Sequence, residues 1–199
     1  MNEKTVVVTG ANSGVGLATA TELARRGATV VMVCRSAERG EQALKEARQR
    51  SGSEKLELMR CDLGSLESIR TFAREFQARH SVLDVLINNA GVITVKRETT
   101  RDGFESQLGV NHLGHFLLTN LLLEQLRRAP QGRIINVSSG AHKTGSIHWE
   151  DPHLTRSFGV WKAYSQSKLA NILFTKALAE RLWSWSEKQV GGAACSLAR

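Results

Sequence analysis

The stretch Thr5-Val6-Val7-Val8-Thr9-Gly10-Ala11-Asn12-Ser13-Gly14-Val15-Gly16 decides the reading of this chain. Its first five residues are mostly β-branched and read as a buried strand. The glycines after them mark a sharp turn, and residues 14–26, stopped by Gly27, read as an amphipathic helix. Glycines at a strand-to-helix turn let the backbone approach a pyrophosphate closely, and the helix N-terminus behind them offers free N–H groups. A tight turn without a ligand uses the same residues, so the motif needs support from the rest of the chain.

That support is the alternation of short apolar runs with longer amphipathic ones. Strands are expected at 29–34, 56–60, 82–88 and 133–137. Helices are expected after Ser36 (38–50), from Ser65 to about His80, over 102–128 and over 161–182. All-apolar strands need cover on both faces. The fold class is therefore α/β: a Rossmann-type doubly wound parallel sheet in three α/β/α layers. Segment 139–160 reads as irregular, and a loop of that length in a compact domain is more often functional than idle.

The 199 residues fit one domain. No apolar run approaches the roughly 18 residues of a membrane span, and no basic-then-apolar leader opens the chain, so no span and no signal peptide are expected. The formal charge is +8, but the cations are spread over several helices rather than one stripe, which argues against a nucleic-acid partner. Cys34, Cys61 and Cys195 are odd in number and lack metal-ligand spacing; they read as free thiols in a reducing, cytoplasmic setting. His112 and His115 have no Cys or carboxylate companions at ligand spacing, so they read as structural or solvent-facing and no metal is expected.

The second strand ends in Cys34-Arg35-Ser36, with no acid where a ribose 2′-hydroxyl would be bound. Arg35 can instead take a 2′-phosphate, which favours NADP(H) over NAD(H); a solvated surface arginine is the plainer reading. Ala90-Gly91, after the fourth strand, lets backbone pass close to a ligand. Tyr164 is the only tyrosine, and Lys168 stands four residues later, one helical turn away on the same side. A phenol is a poor base in neutral water; an ammonium beside it favours the phenolate, and the pair can exchange a proton with a carbonyl or alcohol.

Several runs together resemble the short-chain dehydrogenase/reductase family, in its retinol-dehydrogenase-like and WW-domain-oxidoreductase-like branch. They are TGANSGVG at 9–16, CR at 34–35, LINNAG at 86–91, GVNHLGHFLLTNLLL at 109–123, RIINVSS at 133–139, YSQSK at 164–168 and SKLANILF at 167–174. The resemblance implies a cofactor site at Gly10, Ala11, Asn12, Ser13, Gly14, Val15, Gly16, Arg35, Asp62, Leu63, Asn89, Ala90, Gly91, Tyr164 and Lys168. Asp62 fits either an adenine contact or a turn, and Asn89 fits a sheet brace as well as a cleft contact. The resemblance also implies a catalytic set of Asn111, Ser139, Tyr164 and Lys168, with Ser138 competing for the place of Ser139.

The activity implied is hydride exchange between NADP(H) and a carbonyl or alcohol of an apolar small molecule, with Trp149 and Phe158 either walling the substrate or simply packing. A homodimer through the long helix and the Tyr-bearing helix is implied as well. The resemblance stops after Leu182. Residues 1–182 read as the NADP-binding domain and 183–199 as an atypical tail, as from a truncated or frameshifted reading frame. The last strands of the family are then missing and the fifth strand becomes a sheet edge. The alternative function is a non-catalytic dinucleotide binder or a defective family member.

Overall fold

The structure, a computed structural model, describes the backbone of residues 1–189 and side chains to residue 180. Cys195 and residues 190–199 of the expected tail lie outside the described residues.

Five parallel strands stand in the order β3-β2-β1-β4-β5. They are β1 (Thr5–Thr9), β2 (Thr29–Cys34), β3 (Leu56–Arg60), β4 (Val85–Asn88) and β5 (Arg133–Asn136). Right-handed crossovers are the rule for such a sheet and need a helix between strands. Here they are α1 (Gly14–Arg25), α2 (Ala37–Ser51) and α3 (Leu66–Arg79), then a broken helical run before β5. The strands' period of two divides the core. Val6, Val8, Val30, Met32, Val85 and Ile87 pack against α1 and α2. Val7, Val31, Val33 and Leu86 face Ile69, Phe72 and Phe76 of α3 on the other side. The three-layer expectation therefore holds, with both faces of β1 and β2 covered.

Local caps fix where the helices start. The Ser36 hydroxyl accepts from Arg39 N, and that of Ser65 from Ser68 N. Gly52 ends α2 in the left-handed conformation, where a β-carbon would be strained. The last helix, expected to end at residue 182, runs to Gln189, and two expected starts move inward, each because an acid takes a backbone donor. β4 begins at Val85, not at residue 82: the Asp84 carboxylate accepts from Thr5 N (2.9 Å) and from Lys4 (3.1 Å), while Leu83 N donates to the Gln125 carbonyl. The long helix begins at Ser106, not at residue 102. Asp102 accepts from Leu66 N at the start of α3, and Glu105 accepts from the N–H groups of Gln107 and Leu108.

That long helix is not uniform. α4 (Ser106–Leu108) passes into a π-helical turn at Gly109–Leu113, then α5 (Gly114–Leu121) and, after a step at Leu122, α6 (Leu123–Arg128). Beyond β5 a single 3-10 turn (Gly140–Thr144) lies in the otherwise irregular segment, and α7 (Val160–Gln189) closes the described chain. Among the described residues β3 and β5 are the two sheet edges. No helix among them is long and apolar enough to cross a membrane.

Candidate functional site

At the carboxyl ends of β1, β2 and β4 lies a cleft of about 380 Å³. This edge is where open α/β sheets bind ligands. The glycine turn forms its floor. Gly10 sits at φ +66°, and a β-carbon on it would come within 2.9 Å of Ala90 Cα. One on Gly16 would run into the Gly10 carbonyl, so α1 can lie this close to the turn only without a side chain there. Gly10 N and Ala11 N donate to the Val33 carbonyl, which pins the turn to β2. Ser13 precedes α1, yet unlike Ser36 and Ser65 it makes no side-chain cap. The first N–H groups of this helix are thus left to whatever occupies the cleft.

Of the expected cofactor residues, Gly10, Asn12, Ser13, Val15, Gly16, Arg35, Asp62, Leu63, Asn89, Ala90 and Gly91 all line this one cleft. Ala11 is buried beneath it, and Gly14 takes a left-handed turn (φ +52°) with open space around its α-carbon. Asp62 does hold a turn, accepting from Gly64 N at 2.9 Å, while also facing the cleft. Asn89 braces the sheet: its amide donates to the Thr9 carbonyl at 2.8 Å. Arg39 also lines the cleft. It stands in the first turn of α2, four residues after Arg35, and is masked in the sequence among the many scattered cations. Cys34 and Cys61 belong to the same wall. Burial pushes both thiols upward, that of Cys61 to about 12, so neither is a thiolate at neutral pH.

Tyr164 and Lys168 share one side of α7, with Lys168 Nζ 5.7 Å from the centre of the phenol ring. Tyr164 is half-buried, and the ring of Trp161 meets it edge-on at 6.0 Å. Lys168 is buried and donates to the Val137 carbonyl at 3.3 Å; burial holds its ammonium below the ordinary lysine range. Gly91 joins the two halves of the site. A β-carbon there would lie 3.5 Å from both Lys168 Nζ and Asn111 Oδ1.

The π-helical turn is where Asn111 sits. Its amide is spent on structure: Oδ1 accepts from Val92 N (2.8 Å), and Nδ2 donates to the Val92 carbonyl (3.1 Å) and to Ser167 Oγ (3.0 Å). Such turns recur at functional sites, and this one clamps the segment after Gly91 to the helix of Lys168. The two serines after β5 differ sharply. Ser138 donates its proton to the Lys168 carbonyl at 2.8 Å. Ser139 Oγ only accepts, from Ala141 N at 3.3 Å, and its proton remains available.

Segment 145–159 crosses α7 and is tied down by side chains. Gln166, in the turn between Tyr164 and Lys168, accepts from His148 N and donates to the Pro152 carbonyl, both at 2.9 Å. Arg97 donates to the His153 carbonyl. Leu154 is buried in the left-handed conformation (φ +48°), which costs about 1 kcal/mol for a residue with a β-carbon. Trp149 is 81% exposed and Phe158 half-buried. Among the described residues no cluster of three or more His, Cys, Asp or Glu is placed to hold a metal.

The short chain dehydrogenase family model matches residues 4–190, beyond the Leu182 limit read from the sequence. Retinol dehydrogenase 11 of Homo sapiens is 51% identical over 179 residues, covering 90% of this chain and 56% of that protein. The chain thus spans little more than half the length of the curated relatives it matches. A solved protein from Mycobacterium paratuberculosis superposes with a TM-score of 0.81 at 47% identity, over 93% of this chain and 65% of that one. A metagenomic short-chain oxidoreductase solved with NADP gives 0.74 at 30% identity, over 92% and 78%. With the family model spanning nearly all of a chain whose glycine turn, asparagine clamp and Tyr–Lys helix meet at one sheet edge, this protein belongs to the short chain dehydrogenase family.

Proposed function

We propose that the chain is an NADP(H)-dependent oxidoreductase acting on an alcohol or carbonyl of an apolar small molecule, of the kind the retinol dehydrogenases are named for. The observation that carries this reading is the meeting at Gly91 of the glycine-floored cleft with the buried Lys168 ammonium. The cleft suits a dinucleotide: Gly10 and Gly16 leave backbone where side chains would block it, and the uncapped start of α1 suits a pyrophosphate. Arg35, just after β2, and Arg39, at the start of α2, both line the cleft and suit a 2′-phosphate. Asp62 and Leu63 take the adenine end; Asn89, Ala90 and Gly91 take the nicotinamide end. The bound cofactor supplies or accepts the hydride.

The remaining work falls to this chain's own residues. Tyr164 gives a proton to the substrate oxygen in reduction and removes it in oxidation. Lys168, its Nζ 5.7 Å from the centre of that ring, is placed to hold ribose hydroxyls. Ser139 donates its free proton to the same substrate oxygen, a role Ser138 has already surrendered to the Lys168 carbonyl. Asn111 keeps the clamp that seats Lys168 beside Gly91. We place the functional unit at residues 1–182, with Trp149 and Phe158 on the substrate side. Phe116 and Leu173, both nearly half exposed on α5 and α7, suit a homodimer contact.

NADPH fluorescence titration and turnover with retinal and aromatic aldehydes test the reading together. NADPH should bind more tightly than NADH, and Tyr164→Phe should lower turnover roughly 10²–10⁴-fold with binding retained. The second reading is a dinucleotide binder without turnover. NADPH binding with no turnover, the same in Tyr164→Phe, would favour it.

A further inference from the structure

Between the cofactor cleft and the Tyr–Lys helix lies an imidazole with no part in the chemistry above. His115, on α5, is 2% exposed. Its Nδ1 is 3.0 Å from the Asn111 carbonyl and its Nε2 is 2.9 Å from Thr9 Oγ1. A carbonyl oxygen can only accept, so Nδ1 carries a proton. The Thr9 hydroxyl already accepts from Asn89 N (2.9 Å) and Ala90 N (3.0 Å). Both its lone pairs are taken, and it has one proton left to give. The Ile87 carbonyl lies 3.3 Å away, but Nε2 is nearer and, buried without a donor, would be costly. The lone-pair count therefore selects one state: a neutral ring, protonated at Nδ1, accepting from Thr9 at Nε2.

This state links three parts of the site. Thr9 is the last residue of β1, from which the glycine turn departs. Asn89 and Ala90 line the cleft, and Ala90 Cα stands where a β-carbon of Gly10 would be only 2.9 Å away. Asn111 is the clamp beside Lys168. We propose that His115 is a positioning residue of the cofactor site: by taking the Thr9 proton it commits the hydroxyl lone pairs to Asn89 and Ala90, and so fixes the backbone that faces the nicotinamide end. The proposal rests on the reading that this cleft takes a nicotinamide dinucleotide.

The test compares two substitutions of equal length, His115→Gln, which keeps an acceptor for Thr9, and His115→Met, which does not. NADPH dissociation constants, KM for NADPH and kcat are measured for each with the full chain. His115→Met should weaken NADPH binding about tenfold and raise its KM alike, with kcat within about threefold, whereas His115→Gln stays within about threefold of the unaltered chain in all of them. The same contrast should appear from the other end of the bond, with Thr9→Ser near the unaltered chain and Thr9→Val weakened. If His115→Met does not fold, the Thr9 pair combined with His115→Gln carries the test, since removing the Thr9 hydroxyl must then cancel the benefit of the glutamine. Equal NADPH affinity for the Gln and Met variants, or for the Thr9 pair, overturns the proposal. Failure of the unaltered chain to bind NADPH or NADH overturns the cleft assignment itself, and this proposal with it.

Discussion

Strands β1 and β5 lie in one sheet yet are held by different means. Val6, Val7 and Val8 of β1 are wholly buried between two helical layers, whereas β5 alternates exposed and partly buried residues and leaves Ile135 46% exposed. The segments leaving the two strands differ in the same way. The glycine turn after β1 is fixed by backbone: carbonyl and N–H partners on β2, and contacts at Gly10 and Gly16 too close for any side chain. The segment after β5 is tied by side chains reaching across, chiefly Gln166 and Arg97, and β5 itself is tied to α7 by Asn136, which donates to Thr175 at 3.0 Å. On the function proposed above, the backbone-built side takes the cofactor and the side-chain-tied segment faces the substrate, so the second can change without disturbing the first. The largest expected effect is therefore in the buried half: Phe72→Ala, at a wholly buried ring on α3, should cost about 3–5 kcal/mol in urea unfolding. Trp149→Ala, in the exposed segment, should change stability by less than about 0.5 kcal/mol.

Acid should separate the two regions next. Burial, reinforced by Lys168 and His112, lowers the folded-state pKa of His115 from 6.5 to about 4, and burial lowers that of His112 as well. A histidine kept neutral by folding stabilises fully above its unfolded pKa. Between the two values the unfolded chain binds the proton and the folded chain does not, so stability falls as pH drops from 6.5 toward 4. For His115 the total is about 3 kcal/mol. Asp151 works in a lower window: N–H groups of Arg156 and Thr155 hold its carboxyl at about 2, below the ordinary 3.8, so its contribution is lost only as pH falls below about 4. Amide exchange monitored from about pH 7 to about pH 4 should show β1 and β4 losing protection while residues 151–156 keep theirs. Simultaneous loss in both would erase the distinction. A smaller effect, roughly 1–3 kcal/mol, is expected for Gly16→Ala, whose β-carbon meets the Gly10 carbonyl. NADPH affinity should drop with it, while protection of the 145–159 amides is unchanged at temperatures below the new melting point.

How far the sequence announced these features depended on how local their causes are. β2 and β3 fall where the apolar runs put them, and the glycine turn is a contiguous motif whose geometry is dictated within a few residues. Val82 and Leu83 look like strand but precede Asp84, whose carboxylate binds a residue 79 positions away. Asp102 likewise resembles the start of its own helix and instead serves α3. The tie from His115 to Thr9 spans 106 positions, and nothing in the pattern GVNHLGH says that one of its histidines is wholly buried with both nitrogens bound. Tyr164 and Lys168 were legible because one helical turn relates them. Gln166, between them, was not, because its partners come from an irregular segment with no period to read.

Gln166 also gives the smallest and most selective test of the two-region contrast. Its amide supplies both bonds to His148 and Pro152 from a side chain 1% exposed, and neither partner touches the cofactor cleft. Gln166→Ala removes the two ties and should cost about 1–2 kcal/mol locally. Amides of residues 146–154 should then exchange roughly tenfold faster. If that segment faces the substrate as proposed, KM for an apolar aldehyde should rise several-fold while the NADPH dissociation constant stays the same. Gln166→Glu sharpens the result: a carboxylate still accepts from His148 N but loses the donor to the Pro152 carbonyl, so an intermediate KM is expected. If Gln166→Ala weakens NADPH binding as much as substrate binding, the two regions are one mechanical unit and the contrast drawn from β1 and β5 does not extend to function.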